Sequence, residues 1–300
     1  MRVTSSMSQR HLLSDLQQVQ QRLADAQNRV SSQKQITKPS DDPLGAARAT
    51  RLQADIDSTK AYSDSVDEAK SWLDASDSAM SSLTDIVQHV RELTVQAANG
   101  ATSDTARQSI KAELDQLITQ AKSTLNQAYD GRYLFSGTKT DTPPYDTTTT
   151  PPDDTYKGDG GAVLRTIGPG VTVQVNATAS GSTPPTDVLG TLLPALRQLS
   201  TDIGNNDISA IGTTDLKAID TGLDTITSVQ SQIGAITNRV TAAGSRLDDI
   251  SDVTTILLSN TQDADLPKAL TDLSMQQNAL QSALQAGSTL IQQSLMDFLK

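Results

Sequence analysis

Near the N-terminus the apolar positions fall at Leu12, Leu16, Val19, Leu23, Ala26 and Val30, alternating steps of four and three. That is the a/d spacing of a coiled-coil seam, and glutamine fills most of the other faces. The stretch QKQITKPSDDPLGAARATRL, residues 33–52, then interrupts the helix with two prolines, Pro39 and Pro43, around a serine and an acidic doublet. Asp42 is suited to cap a new helix. Pro43 fits its first position, where a missing N–H costs nothing and φ is already helical. From Pro43 the helical pattern runs to Asn99 and Gly100, which supply a stop. Leu52, Thr59, Val66, Leu73, Met80 and Val87 make one seven-residue column. Its companion drifts from Ala49 and Ile56 to Ala69, Leu83 and Val90, as a nearly straight helix does when it packs against changing neighbours.

A third helix is expected after Ser103 or Asp104, with Ile110, Leu114, Leu117, Ala121, Leu125 and Ala128 on one face and Asp130-Gly131 ending it. The pattern then changes. Residues 138–154 are Thr/Pro-rich, KGDGGA is Gly-rich, and Val171, Val173 and Val175 alternate in strand period. This predicts a small β-rich insertion whose Thr140–Asp154 loop contributes little to a core. Helix returns from Asp187 to about Thr201. It resumes from about Thr214 through Asn260, where Ile226, Val229, Ile233, Ile236, Val240, Ala243, Leu247 and Ile250 keep three/four spacing. At ~1.5 Å per residue this last helix would span ~70 Å, too long for a compact globule. DADLP, residues 263–267, breaks it with Asp265 as a cap. A final helix carries Leu266, Leu270, Leu273, Leu280, Leu284, Ile291 and Phe298.

The fold class expected is therefore mainly α: an elongated helical bundle with a terminal coiled coil formed by the N- and C-terminal helices, plus a small β-rich insertion domain. The order is a near-palindrome that assigns residues 1–40 and 264–300 to the terminal coiled coil. Residues 41–131 and 187–263 form a helical body, and 132–186 the β-rich outer insertion. Arginines exceed acids in the first helix and aspartates exceed lysines in the last, a sign that favours their pairing.

Composition narrows the function. Aromatics are 3% of 300 residues, so aliphatic seams must do the packing. A formal charge of −11 argues against tracking phosphates, so no nucleic-acid partner is expected. No apolar run reaches the ~20 residues of a membrane span, and the N-terminus lacks the apolar core of a cleavable signal. A soluble chain without a membrane partner is expected. The absence of cysteine excludes thiolate catalysis, disulfides and Cys-ligated metals.

His11 and His89 each stand alone in a helix, where a solvated or core-edge role outweighs that of ligand or base. The doublets Asp41/Asp42, Asp153/Asp154 and Asp248/Asp249 are adjacent in sequence and do not converge on one helix face, so caps, turns and solvated faces account for them. GDGGA and IGPG lack the strand-before, helix-after setting of a phosphate loop. The sequon at Asn176 lies in a predicted strand. Catalytic, cofactor and metal sites are all expected to be absent, and the chain is not expected to be an enzyme. A self-assembling structural subunit fits the surplus of apolar seam. The expected assembly interface is Leu12, Leu16, Val19, Leu23, Val30, Leu270, Leu273, Leu280, Leu284, Ile291 and Phe298. The joint is Pro39, Asp41, Asp42 and Pro43, with Asp41 free to reach a neighbouring chain.

KQITKPSDDPLGAARATRL, YLFSGTKTDTPPY at residues 133–145, IGPGVTVQVNA at 167–177 and the tail from Gly244 onward together resemble the bacterial flagellin superfamily. Lys38 to Pro43 departs from the SAxDDxAGxA-like form usual in flagellins, and Phe135-Ser136-Gly137 is similar to the branch that joins the hook to the filament. The resemblance implies a structural adapter at the hook-filament junction, with flagellin itself, the filament subunit, or another self-assembling secreted helical protein as the alternative. It implies a terminal coiled coil lining an axial tube, a helical body and an outer β-rich domain. It also implies export through the flagellar type III apparatus to the extracellular flagellum. The partners implied are other copies in a helical ring, the preceding hook-associated protein, flagellin, and an export chaperone on the C-terminal helix.

Overall fold

The computed structural model describes residues 5–147, 154–176 and 188–298. In chain order it contains α1 (Ser5–Ser32), α2 (Pro43–Ala98) and α3 (Asp104–Leu125), then β1 (Ala128–Tyr129), β2 (Arg132–Tyr133), β3 (Leu164–Gly168) and β4 (Val171–Gln174). It continues with α4 (Val188–Gly204), α5 (Ile208–Ala210), a π-helical turn at Ile211–Asp215, α6 (Leu216–Gln262) and α7 (Leu266–Phe298). Helix dominates, as the periodicity predicts, and among the described residues the sheets are two antiparallel pairs, β1–β2 and β3–β4. Two compact units result. One is Met1–Ser58 with Ile250–Lys300 and the other Thr59–Asp249. Their boundaries fall inside α2 and α6, whereas the breaks in the hydrophobic pattern lie at the ends of those helices.

The larger unit has one continuous core. The α2 columns supply Val66, Ala69, Leu73, Met80, Leu83, Val87 and Val90, all buried against Leu114, Leu125, Leu193, Leu196, Ile226 and Val240. Ile118 is fully buried on α3 where the spacing had favoured Leu117, which is only partly covered. Ala128 has left the helix for β1, because α3 ends at Leu125 with Asn126 as its C-cap. Asp130 and Gly131 consequently do not stop α3. They form the two-residue turn between β1 and β2, with φ of 49° and 73°, the left-handed pair that a tight hairpin demands. A helix stop and a hairpin turn ask for the same residues, so the sequence could not separate them.

The insertion belongs to this core. Leu134, Phe135, Ile167, Val173 and Val175 are buried in the same cluster as the helices. The Thr140–Asp154 loop contradicts its expected dispensability at both ends. Tyr145 is fully buried, and its backbone exchanges hydrogen bonds with the Asn126 side chain at 2.8 and 2.9 Å. Asp154 receives Lys122 Nζ at 2.7 Å and Arg197 Nε at 2.7 Å, tying the loop's end to α3 and α4. Asp154 is thus a partly buried ion-pair partner and not a solvated turn residue. Asp153 lies outside the described residues. A polar loop without periodicity still contributes where a single aromatic or a paired charge is sequestered.

Several smaller motifs find structural roles. In FSGT and GDGG, the Asp159 carboxylate accepts from Thr138 N and Thr138 Oγ1, both at 2.6 Å, and from Gly161 N at 3.1 Å. These bonds hold its pKa below the usual carboxylate value, the Thr138 hydroxyl being the largest cause. Gly137 has φ 69° and lies against the Asp159 backbone, so no side chain fits there. Asn176 accepts from Val163 N and donates to Gly161 O, each at 2.8 Å, and is buried, which removes the sequon from reach. His89 is not alone: Nε2 lies 2.9 Å from Glu113 of α3, and this bond, ahead of Glu92, raises its pKa. His11 is exposed.

Candidate assembly interface

The smaller unit is built on α1 and α7, which pack against each other as the near-palindrome predicts. They run antiparallel: the Lys34 and Asp263 backbones pair in an antiparallel β-bridge at one end, and Gly287 faces Leu12 farther along. Leu12, Leu16, Val19, Leu23 and Val30 are half-buried and Ala26 is buried, so the whole predicted α1 seam is used. On α7 the seam is Ala269, Leu273, Gln276, Leu280, Ala283 and Gly287, again alternating fours and threes. A Cβ on Gly287 would stand 3.3 Å from Leu12 Cδ2, so the helices approach closely there.

The structure divides the predicted interface residues of α7 into two groups. Leu273 and Leu280 lie in the α1-facing seam. Leu270 and Leu284 stand 52% and 53% exposed on an adjacent stripe with Leu266. Ile291 and Phe298 lie where α7 side chains are outside the described residues. The favoured charge pairing does not materialise at Arg22 or Arg29, which make no ion pair among the described residues. Asp265 caps α7 through Lys268 N at 3.2 Å, and Asp263 accepts the Ser259 hydroxyl.

Both breaks in the helical pattern meet at the joint. Gln35 N donates to Gln262 O at 2.7 Å and Ala264 N to Gln33 O at 2.9 Å, so residues 33–36 and 262–264 brace one another. Gln33 leaves α1 at φ 57°, a left-handed turn that satisfies the helix end. Asp41 N donates to Lys38 O at 3.0 Å, closing a turn with Pro39 at its second position. Pro43 is the first residue of α2, and Asp42 caps it as expected, Oδ1 accepting from Leu44 N at 3.1 Å.

Asp41 corrects the sequence reading. Its Oδ2 accepts from Thr37 N at 3.1 Å, Thr37 Oγ1 at 2.9 Å and Lys38 N at 2.9 Å. The Lys38 amide first, then the Thr37 hydroxyl and amide, hold its pKa below the ordinary value. Asp41 is engaged within its own loop, because a carboxylate two residues after a proline turn meets the amides that the turn exposes. Gly45 and Ile36 escaped sequence reasoning. A Cβ on Gly45 would lie 2.6 Å from Ile36 Cδ1 and would collide with the Asp42 carboxylate. A glycine in the first turn of a helix was the available signal.

The most telling quantity is where apolar surface remains. Of the fifteen large apolar side chains exposed among the described residues, only Val95, Tyr129, Leu164 and Ile208 belong to the larger unit. The smaller unit, with far fewer residues, carries the rest. Four of them lie on α6: Ile250, Val253, Ile256 and Leu257. Beyond Leu247 the α6 seam becomes mixed, with Ile250 and Leu257 exposed while Thr254 between them stays buried, a change that continuous spacing cannot register. Apolar surface at this density marks an interface.

Residues 3–140 match the bacterial flagellin N-terminal helical region, and residues 216–299 match the bacterial flagellin C-terminal helical region. Flagellar hook-associated protein 3 of Salmonella typhimurium is 26% identical over 308 residues, covering 94% of this chain and 95% of the relative. Its Escherichia coli counterpart is 26% identical over 284 residues, covering 86% of each. Among solved structures, flagellar hook associated protein-3 from Legionella pneumophila aligns with a TM-score of 0.61 at 16% identity, covering 70% of this chain and 98% of that one. The last likeness speaks for the fold.

Proposed function

The chain belongs to the bacterial flagellin family, and on that footing we propose that it is a structural subunit of the flagellum, an adapter at the hook-filament junction. The observation that carries this reading is the smaller unit's concentration of unpartnered apolar side chains on the family's own terminal helical regions. The full-length relation to hook-associated protein 3 supports the junction over the filament proper. No catalysis is required of it. Its work is geometric: terminal helices pack with those of other copies, and the joint fixes the direction in which α2 leaves them. Copies meet the preceding hook-associated protein on one side and flagellin on the other. The chain reaches this extracellular position by flagellar type III export, with a chaperone covering the C-terminal helix beforehand. In this reading residues 1–40 and 264–300 are the terminal domain, 41–131 and 187–263 the body and 132–186 the outer domain.

Electron microscopy of a deletion strain tests the proposal. Hooks without filaments, accompanied by flagellin secreted into the medium, are expected. Normal filaments would overturn the reading, and loss of the filament protein itself would assign the chain to flagellin.

A further inference from the structure

The smaller unit carries, besides its exposed rows, an open groove of ≈ 500 Å³ beside the joint. Its floor is Ile36 and the short side chains of Ala46, Ala49 and Ala54 on α2, with Thr50 and Gln53 along the wall. Small residues on one face let another helix approach closely, and large residues at helical spacing fill such a groove. The same unit presents that complement. Ile250, Val253 and Leu257 are spaced i, i+3, i+7 on the emergent end of α6, with Ile256 beside them.

Charge favours the match. Lys34 and Lys38 stand at the groove's rim. Lys34 makes no ion pair among the described residues, and Lys38 reaches only Asp25, at 3.9 Å, with both side chains largely exposed. The α6 row is flanked by Asp252 and, in the preceding turn, Asp249, neither of which has a cationic partner in the described structure. Asp57 at the groove's far end is the one acid of its lining.

We propose that the α6 row of one copy seats in the α2 groove of a second copy of this chain. This rests on the assembly role proposed above and deepens it by naming the two surfaces that meet. Row and groove are different patches of one unit, so the contact is head-to-tail. A head-to-tail contact repeats from copy to copy and builds rings or helices, whereas a self-complementary patch would stop at a dimer. The arrangement also explains why α6 keeps Ile250, Val253, Ile256 and Leu257 exposed beyond Leu247.

The absence of cysteine makes the test direct. Cells lacking the native chain would express Gln53→Cys in a tagged copy and Val253→Cys in an untagged copy, and their isolated flagella would be treated with a mild oxidant. Both positions are exposed, so neither substitution disturbs a core. The expected product is a disulfide-linked heterodimer of tagged and untagged chains, with either variant alone remaining monomeric on the gel. Motile cells whose flagella contain both chains yet give no heterodimer would assign the groove to another occupant and overturn the inference, leaving the junction role intact. Dimers of Gln53→Cys with itself would overturn it in favour of a two-fold contact.

Discussion

A single carboxyl group gives the sharpest chemical signal among the described residues. Asp215 closes the π-helical turn, is 3% exposed, and its Oδ2 has no hydrogen-bond partner. The groups facing it are Asp202 of α4 and Asp207, the N-cap of α5. Asp202 accepts from Gln198 Nε2 at 3.1 and 2.9 Å, and Asp207 from Ala210 N at 3.0 Å. Burial first, and then these acids, push the Asp215 pKa up to about 6. A folded-state pKa raised above the unfolded one means that the neutral form is favoured by folding. The contribution is whole below about pH 4 and is lost as pH rises through 6. Asp215→Asn should therefore match the parent near pH 4 and exceed it by about 3 kcal/mol at pH 8, read as urea midpoints at each pH. A difference independent of pH would show that Asp215 does not titrate in this range.

At the scale of elements, α7 has two apolar stripes with different jobs. Leu273 faces α1 within the chain, while Leu284 faces outward. Placing a carboxylate in a packed seam costs several kcal/mol. Leu273→Asp should part α1 from α7, seen as a loss of helical circular dichroism in the free chain, and should abolish incorporation into flagella. Leu284→Asp should leave the circular dichroism of the free chain unchanged and still reduce incorporation at least tenfold. Incorporation of Leu284→Asp at the parent level would remove the outward stripe from the interface. The joint acts at this scale too. Gly45, Ile36, Asp42 and the Asp41-closed turn occupy one small volume, so the angle between α1 and α2 depends on sterics and amide hydrogen bonds more than on charge.

For the whole molecule, the two units differ in how much of their apolar surface they satisfy alone. The larger keeps nearly all of it in one core, while the smaller holds most of the exposed large apolar side chains among the described residues. Local stability follows local burial. In the free chain, amides of α1 and α7 should exchange at least tenfold faster than those of α2 between Val66 and Val90, and should slow on assembly; equal protection at micromolar concentration would contradict this. Periodicity by itself determined the helices, the α1–α7 pairing and the Asp42–Pro43 helix start, because these depend on residues near one another in the chain or on spacing alone. The tertiary structure decided what spacing cannot encode. It made Asp130-Gly131 a hairpin turn and not a helix stop, buried Tyr145 and paired Asp154 in an otherwise polar loop, and engaged the exposed Asp41 carboxylate within its own turn. It also left Ile250, Val253, Ile256 and Leu257 of α6 exposed beyond Leu247. In each case the outcome depends on which distant segment arrives to cover a residue or accept its hydrogen bond, and a local pattern carries no record of that arrival.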